Sequence, residues 1–200
     1  MGAHQEIGVG MRVLIVTDAY FPTRTSVAIL LYELAQTFLD EGKQVSIVVP
    51  NASQVKDVIF SSQAGCQIIT VKALQTKDVH YWRRTISEFL NPWLMWRILK
   101  QNQEFMKSVY MGVIWYSPSI FWDPLIKQFN KHVRCNSSLI LRDLFPDWAV
   151  HLGLLRRGLT YRLLKVVERC QYAQADTIGL QSPNNLLYFK KKLSSSYCPS

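Results

Sequence analysis

The chain has 200 residues, of which 48% are hydrophobic and only 18% charged, so it can bury a sizeable core and whole-chain disorder is excluded. Its formal net charge of +9 indicates an anionic partner, such as a membrane surface, a nucleic acid or a phosphorylated substrate, unless the charge serves solubility alone. The 4 cysteines include no CxxC pair and the 4 histidines are scattered, so we expect reduced thiols and no metal site. No apolar run approaches the roughly 20 residues that span a bilayer.

The N-terminal region predicts a strand-helix-strand unit. Residues 12–17 (RVLIVT) form a continuous apolar run with β-branched members, which is typical of a strand buried on both faces. Apolar residues at helical spacing then predict a helix that Ser26 caps and that Gly42 ends. A second strand is predicted at residues 44–49, closed by Pro50. A right-handed crossover should connect the two strands.

The same alternation continues along the chain. Further strands are predicted at residues 66–71, 109–116, 138–141 and 176–180, with helices at 80–107 (broken at Asn91-Pro92), from Ser117-Pro118 to about 132, at 158–173 and from Ser182-Pro183 onward. This pattern predicts an α/β fold with a doubly wound, mostly parallel sheet and helices on both faces. We expect residues 1–10 to be a mobile N-terminus or a cloning remnant, 11–192 to form the domain and 193–200 to be a linker.

Polar loops follow several predicted strands, at the edge where open parallel sheets bind ligands. The first of these loops, residues 18–26, contains no glycine, so it lacks the phosphate-binding fingerprint of a dinucleotide site, and we expect no cofactor. Serines and threonines at helix starts suit an anion, and they are equally typical of plain helix caps. The candidate substrate-binding residues are Tyr20, Thr23, Arg24, Thr25, Ser26, Ser117, Ser119 and Arg142.

The segment LRDLFPDWAVHLGLL, residues 141–155, places charges and aromatic rings directly after a predicted strand. Asp143 is the candidate catalytic residue, either as a general base or as the group that holds a substrate hydroxyl. A purely structural role for Asp143 is an equal alternative. Asp147 is predicted to cap the next helix. Trp148 suits either packing or contact with a substrate.

Residues 80–110 combine aromatic and basic side chains in one predicted helical segment. Indole rings at the headgroup level, with guanidinium groups on lipid phosphates, are typical of an interfacial helix. A core helix with a basic solvated face explains the pattern equally well. Nucleic-acid binding is a third and weaker alternative, so we expect no nucleic-acid partner. The candidate membrane-contact residues are Trp82, Arg83, Arg84, Trp93, Trp96 and Arg97.

Several segments together resemble the N-terminal, acceptor-side domain of a GT-B glycosyltransferase. The opening unit, residues 12–50, is similar to the start of the large retaining family of the family-four type, which includes sucrose synthases and many bacterial polysaccharide enzymes. The segments VIWYSP, LRDLFPDWAVHLGLL and ADTIGLQSPNNLLYF are similar to bacterial enzymes of lipopolysaccharide, capsule and exopolysaccharide assembly that act on lipid-linked sugars. The resemblance covers about residues 11–192.

The resemblance implies the Rossmann-like half of a retaining, metal-independent glycosyltransferase. Such an enzyme transfers a sugar from a nucleotide-sugar donor to a polyprenyl-linked saccharide acceptor, in the cytoplasm at the anionic inner face of the cell membrane. The donor binds mainly to a C-terminal domain in this family, so the chain is expected to be inactive alone.

Two features depart from that family. The first loop has no Gly-Gly pair, and no histidine directly follows VIWYSP, so we expect no catalytic histidine. The alternative function is a stand-alone Rossmann-like binding module that pairs with a separate chain.

Overall fold

The computed structural model describes residues 12–117, 119–183, 185–187 and 189. The predicted mobile start (1–10) and linker (193–200) lie outside this range. The strands are β1 (Arg12–Val16), β2 (Gln44–Asn51), β3 (Val58–Gln63), β4 (Cys66–Lys72), β5 (Gly112–Ser117), β6 (Asn136–Leu141) and β7 (Thr177–Leu180). The helices are α1 (Ser26–Asp40), α2 (Tyr81–Leu99), α3 (Gln103–Lys107), α4 (Asp123–Val133), α5 (Asp147–His151) and α6 (Leu159–Tyr172), with a 3-10 turn at Ile120–Trp122.

The seven strands form one sheet in the order β3-β4-β2-β1-β5-β6-β7. All pairings are parallel except that of β3, which runs antiparallel to β4. The predicted doubly wound, mostly parallel α/β fold is confirmed. Strand β3 was not predicted, because this edge strand alternates exposed and half-buried residues and carries the polar run Ser61–Gln63, which resembles a loop.

Alternate residues of the central strands face two separate hydrophobic clusters. Val13 and Ile15 of β1 pack in one cluster, and among the described helices only α1 contributes to it. Leu14 and Val16 pack in the other, which also holds side chains of α2, α4 and α6. Of the helices that contribute to these clusters in the described residues, α1 therefore covers one side of the sheet, and α2, α4 and α6 cover the other.

Three local predictions for the N-terminal unit have different outcomes. Gly42 adopts a left-handed conformation, with φ of +74°, directly after α1, as predicted for a helix end. Thr25 rather than Ser26 caps α1, because its Oγ1 accepts a hydrogen bond from the Ala28 amide at 3.3 Å. Pro50 does not close β2 but lies within it.

Helix α2 is continuous where the sequence predicted a break. Pro92 lies inside it and removes one backbone donor. The side chain of Asn91 accepts a hydrogen bond from the Leu74 amide at 2.7 Å and donates one to the Leu74 carbonyl at 3.1 Å. These bonds, together with the buried residues Met95 and Leu99, fix the helix on both sides of the proline.

The helix predicted to open at Ser117-Pro118 begins later. Pro118 lies outside the described residues, and Ser119 caps the short 3-10 turn, with its Oγ accepting from the Phe121 amide at 3.4 Å. Helix α4 follows and carries a proline, Pro124, in its first turn, which is the position where proline costs no helical hydrogen bond.

Candidate functional site

The carboxyl ends of β1, β5 and β6 lie side by side in the sheet. Arg142, which follows β6, reaches the start of α1, where its Nη1 donates to Ser26 Oγ at 3.0 Å. The same nitrogen lies 3.5 Å from the hydroxyl of Tyr116 at the end of β5. Two predicted site residues 116 positions apart, Arg142 and Ser26, are therefore in contact.

The loop before α1 supplies further polar groups to this edge. Thr23, Arg24 and Thr25 are all exposed, and the Thr23 amide donates to the Tyr20 carbonyl at 3.1 Å in a tight turn. Because Thr25 caps the helix through its side chain, its hydroxyl already has a structural partner. Arg24 and Arg142 are the cationic groups here, and guanidinium groups suit phosphate oxygens.

Tyr20 does not belong to this exposed set. Its side chain is 4% exposed and lies in the core beneath α1, where its hydroxyl donates to Cys66 Sγ at 3.7 Å. Burial raises the pKa of Tyr20 and also that of Cys66, as expected when the charged form loses hydration. The prediction that Tyr20 contacts substrate is corrected to a packing role.

Asp143 and Asp147 are in opposite environments. Asp143 is exposed at the strand end. Asp147 is 5% exposed and does not cap α5, because Pro146 occupies the cap position. Its two carboxylate oxygens instead accept from the Tyr161 hydroxyl at 2.7 Å and from Lys165 Nζ at 3.1 Å. The prediction of a cap at Asp147 is wrong, since its side chain binds the following long helix.

Trp148 is 40% exposed, and its ring centroid lies 5.9 Å from that of Phe145. It packs against this neighbouring ring and still presents surface to solvent.

A pocket of about 50 Å³ opens at the same edge of the sheet, on the side of α2. Its polar lining includes Asp18, two residues after the end of β1, and Glu88 and Asn91 of α2. Trp122 forms part of the wall, and its buried Nε1 has no hydrogen-bond partner within the described residues. The remaining lining residues are Pro50, Thr76, Pro92, Ser119 and Phe121.

The electrostatics of this pocket involve two carboxylates. Although part of Asp18 is exposed, the protein atoms around its carboxyl group restrict hydration and raise its pKa; a backbone hydrogen bond, Lys77 and Arg84 lower the pKa, and the charge of Glu88 raises it. Glu88 accepts a hydrogen bond from Arg84 Nε at 2.8 Å, four residues earlier on the same helix. Carboxylates beside aromatic rings offer acceptors for hydroxyl groups and flat apolar walls, which is chemistry that suits a polar, ring-shaped ligand.

Four residues at this edge were not predicted as site residues from the sequence: Tyr116, Asp18, Glu88 and Trp122. A signal existed for Asp18, because it stands first after a buried strand. No comparable signal existed for Glu88 and Trp122, since their proximity depends on how α2 and the 3-10 turn pack. Of the predicted serines in this region, Ser119 lines the pocket.

The predicted membrane-contact helix has an apolar surface on its outer side. Five residues of α2 are each between 42% and 69% exposed: Trp82, Ile86, Phe89, Leu90 and Trp93. Their spacing places them on one face of the helix, and we call this face the α2 surface. Arg83 and Arg97 are exposed beside it. Among the helices in the described ranges, none is both long and apolar enough to cross a bilayer.

Trp96 and Arg84, both predicted as membrane contacts, have partners within the protein. Trp96 is half-buried, with its ring 5.8 Å from Phe129 and 6.5 Å from His132, so its prediction as a membrane contact is corrected to packing between α2 and α4. Arg84 is engaged by Glu88.

Comparison with known proteins identifies similar folds among solved structures. No protein-family model matches the sequence, and no curated protein matches it either. Among solved structures, sucrose-phosphate synthase from Thermosynechococcus elongatus matches 93% of this chain and 46% of its own, at 14% identity and a TM-score of 0.65. An α,α-trehalose-phosphate synthase (UDP-forming) from Burkholderia xenovorans, in complex with glucose-6-phosphate, matches 94% and 45%, at 14% identity and a TM-score of 0.59.

A third structure, UGT2 of Phytolacca americana, matches 95% of this chain and 50% of its own, at 11% identity and a TM-score of 0.54. The chain thus spans about half the length of the structures that it matches. Its Rossmann-like α/β fold corresponds to one half of GT-B glycosyltransferases.

Proposed function

We propose that this chain is the acceptor-binding half of a GT-B glycosyltransferase that transfers a sugar from a nucleotide-sugar donor to a lipid-linked saccharide. The observation that carries the proposal is the two-sided character of α2. One side contributes Glu88 and Asn91 to the pocket at the carboxyl edge, and the other presents Trp82 and Trp93 to the outside. An acceptor with a saccharide head and a polyprenyl tail would match both sides, with the head in the pocket and the tail beside the exposed tryptophans.

In this proposal the saccharide occupies the pocket side of the edge. Carboxylates of Asp18 and Glu88 accept hydrogen bonds from its hydroxyl groups, and the ring of Trp122 forms a wall. Arg142, fixed by Ser26, binds a phosphate of the substrates. Asp143, exposed next to Arg142, accepts a hydrogen bond from the attacking hydroxyl or takes its proton. Thr23, Arg24 and Thr25, which precede Ser26, are proposed as further contacts with the substrates, as are Ser117, whose side chain lies outside the described residues, and the pocket residue Ser119.

The donor nucleotide is expected to bind mainly to a second α/β domain, of the kind that makes up the other half of the matched structures, and this chain alone should not catalyse transfer. Retention of the anomeric configuration and independence from metal are proposed from the sequence resemblance. So is a role in bacterial lipopolysaccharide, capsule or exopolysaccharide synthesis.

The proposed location is the cytoplasmic face of the cell membrane. The indole rings of Trp82 and Trp93 would lie at the headgroup level, with Arg83 and Arg97 on anionic phosphates. No nucleic-acid partner is proposed.

The catalytic part is tested with the full-length enzyme that the proposal implies, supplied with nucleotide sugars and a lipid extract containing polyprenyl-linked saccharides. We expect Asp143→Asn to lower turnover by about 10²–10⁴-fold, while Asp57→Asn, at an exposed site on the loop before β3, should have no effect. Unchanged turnover in Asp143→Asn would assign Asp143 a structural role.

A further inference from the structure

A second apolar surface lies on the connection from α5 to α6 and along α6. Five residues there are each between 55% and 74% exposed: Leu152, Leu154, Leu159, Leu163 and Val166. The last three follow the spacing i, i+4, i+7 and therefore share one face of α6. We call this group the α6 surface. Its exposure is as large, residue for residue, as that of the α2 surface.

The opposite face of α6 is fixed to the protein by polar contacts. Tyr161 and Lys165 bind the carboxylate of Asp147 at 2.7 and 3.1 Å. Glu168 is 2% exposed, pairs with Lys165 and accepts from the Tyr172 hydroxyl at 2.9 Å. Because these contacts set the rotation of the helix, the leucine-rich face is directed outward rather than left exposed by loose packing.

The exposed charged side chains of residues 149–174 are all positive. Between Trp148 and Ala175 the sequence contains a single acidic residue, Glu168, and that residue is buried. The exposed cationic residues of the segment are Arg156, Arg157, Arg162 and Arg169. Leucine and valine on one face with arginines beside them is the composition of a helix that lies in a membrane interface.

The alternatives fit this surface less well. Two copies of the chain related by a twofold axis would place the four arginines against one another, with no exposed carboxylate of the segment to neutralise them. Nucleic acid would contact the arginines but would leave the five apolar side chains in water. Anionic lipid suits both the arginines and the apolar side chains, since its phosphates attract the guanidinium groups and its acyl chains cover the leucines.

We propose that the α6 surface is a lipid-binding surface that docks the domain onto an anionic bilayer. This inference rests on the membrane location proposed above but concerns a different helix. Helices α2, α4 and α6 contribute to the same hydrophobic cluster on one side of the sheet, and both α2 and α6 begin after the carboxyl ends of strands. Lipid contacts through both the α2 surface and the α6 surface, on the same side of the sheet, would fix the orientation of the site relative to the membrane.

The test measures flotation of the protein with vesicles of 70% phosphatidylcholine and 30% phosphatidylglycerol. We expect Leu159→Gln combined with Leu163→Gln to weaken binding roughly tenfold or more, since each leucine loses its buried contact with lipid. Arg156→Glu combined with Arg157→Glu should weaken binding to these vesicles by more than about tenfold. The matched control is Ile29→Gln, an exposed apolar residue of α1 on the other side of the sheet, and it should bind like the unmodified protein.

Each other outcome overturns the inference. If the α6 variants bind normally while Trp82→Gln with Trp93→Gln does not, the membrane location stands and α6 is not an anchor. If the unmodified protein does not float, both membrane statements fail, while the assay of sugar transfer is unaffected. If the α6 variants change the molar mass measured by light scattering without lipid, the surface joins copies of the protein. Far-ultraviolet circular dichroism checks that each variant is folded.

Discussion

Asp143 and Asp147 stand four residues apart, yet one is exposed at the end of β6 and the other is buried against α6. From the sequence, Asp143 was the catalytic candidate and Asp147 was predicted to cap the next helix. The difference in exposure arises because the side chain of Asp147 has hydrogen-bonding partners on α6, namely Tyr161 and Lys165. A carboxylate without fixed partners can serve a substrate, whereas a carboxylate with short contacts to the inward face of a helix stabilises the fold.

The largest expected effect is that of Asp147→Ala on stability. The substitution removes the acceptor of two hydrogen bonds, from Tyr161 at 2.7 Å and from Lys165 at 3.1 Å, and bonds of this kind to a charged group contribute roughly 1.5–3 kcal/mol each; Lys165 keeps its pair with Glu168. Urea unfolding followed by circular dichroism measures the change. Asp143→Ala is the matched control and should alter the free energy of unfolding by less than about 0.5 kcal/mol. Equal losses in the two variants would contradict the contrast between these residues.

Tyr161→Phe is expected to have a smaller effect. It removes the hydroxyl that donates to Asp147 at 2.7 Å while keeping the ring, and a hydrogen bond to a charged group contributes roughly 1.5–3 kcal/mol. The same unfolding experiment measures it. In the background of Asp147→Ala the substitution should cost much less, and full additivity of the two losses would show that the contact is not energetically coupled.

Glu168 gives the same network a pH dependence. Burial raises the pKa of Glu168 above its ordinary 4.5, with Lys165 acting in the opposite direction. Between 4.5 and that raised pKa the folded protein holds a proton that the unfolded chain has lost, so this residue favours folding more as the pH falls. The stability difference between the unmodified protein and Glu168→Gln should therefore increase on acidification, with a slope of at most about 1.4 kcal/mol per pH unit. A difference that does not vary over this range would contradict the shift.

Arg142→Ala is expected to have the smallest effect on stability. Its guanidinium is exposed and bonds Ser26 at 3.0 Å, a type of surface contact whose loss typically changes stability by less than about 0.5–1 kcal/mol. In the proposed full-length enzyme the same variant should raise the KM for substrate severalfold or more. A loss of stability comparable to that of Asp147→Ala would place Arg142 among the structural residues.

The sheet was largely predictable from the sequence, because most of its parallel strands contain apolar runs and are separated by helical patterns. The two strands that flank β1 illustrate this, since both were identified from their β-branched and aromatic residues. The edge strand β3 was missed, and the predicted break at Asn91-Pro92 was wrong. In the second case a tertiary contact, from Asn91 to the backbone of Leu74, outweighs a local preference.

The candidate site was less predictable than the sheet. The rule that ligands bind at the carboxyl ends of parallel strands selected Ser26 and Arg142, which the structure brings into contact. The rule also selected Tyr20, whose burial depends on the packing of α1 over β4. It could not select Glu88, because this residue lies on a helix and not after a strand. Residue type and strand order identify the edge of the sheet, whereas the direction of each side chain depends on helices that pack across it.

The antiparallel pairing of β3 with β4 has a consequence for the order of folding. Only Ala64 and Gly65, both at positive φ, connect the two strands, as in the tight hairpins whose turn matches the strand twist. Every other pairing between described strands is parallel and joins segments separated by a much longer stretch of chain. Since closing a short loop costs less entropy, we expect this hairpin to form before the parallel pairings, and pulsed hydrogen exchange during refolding would show whether the β3 and β4 amides are protected first.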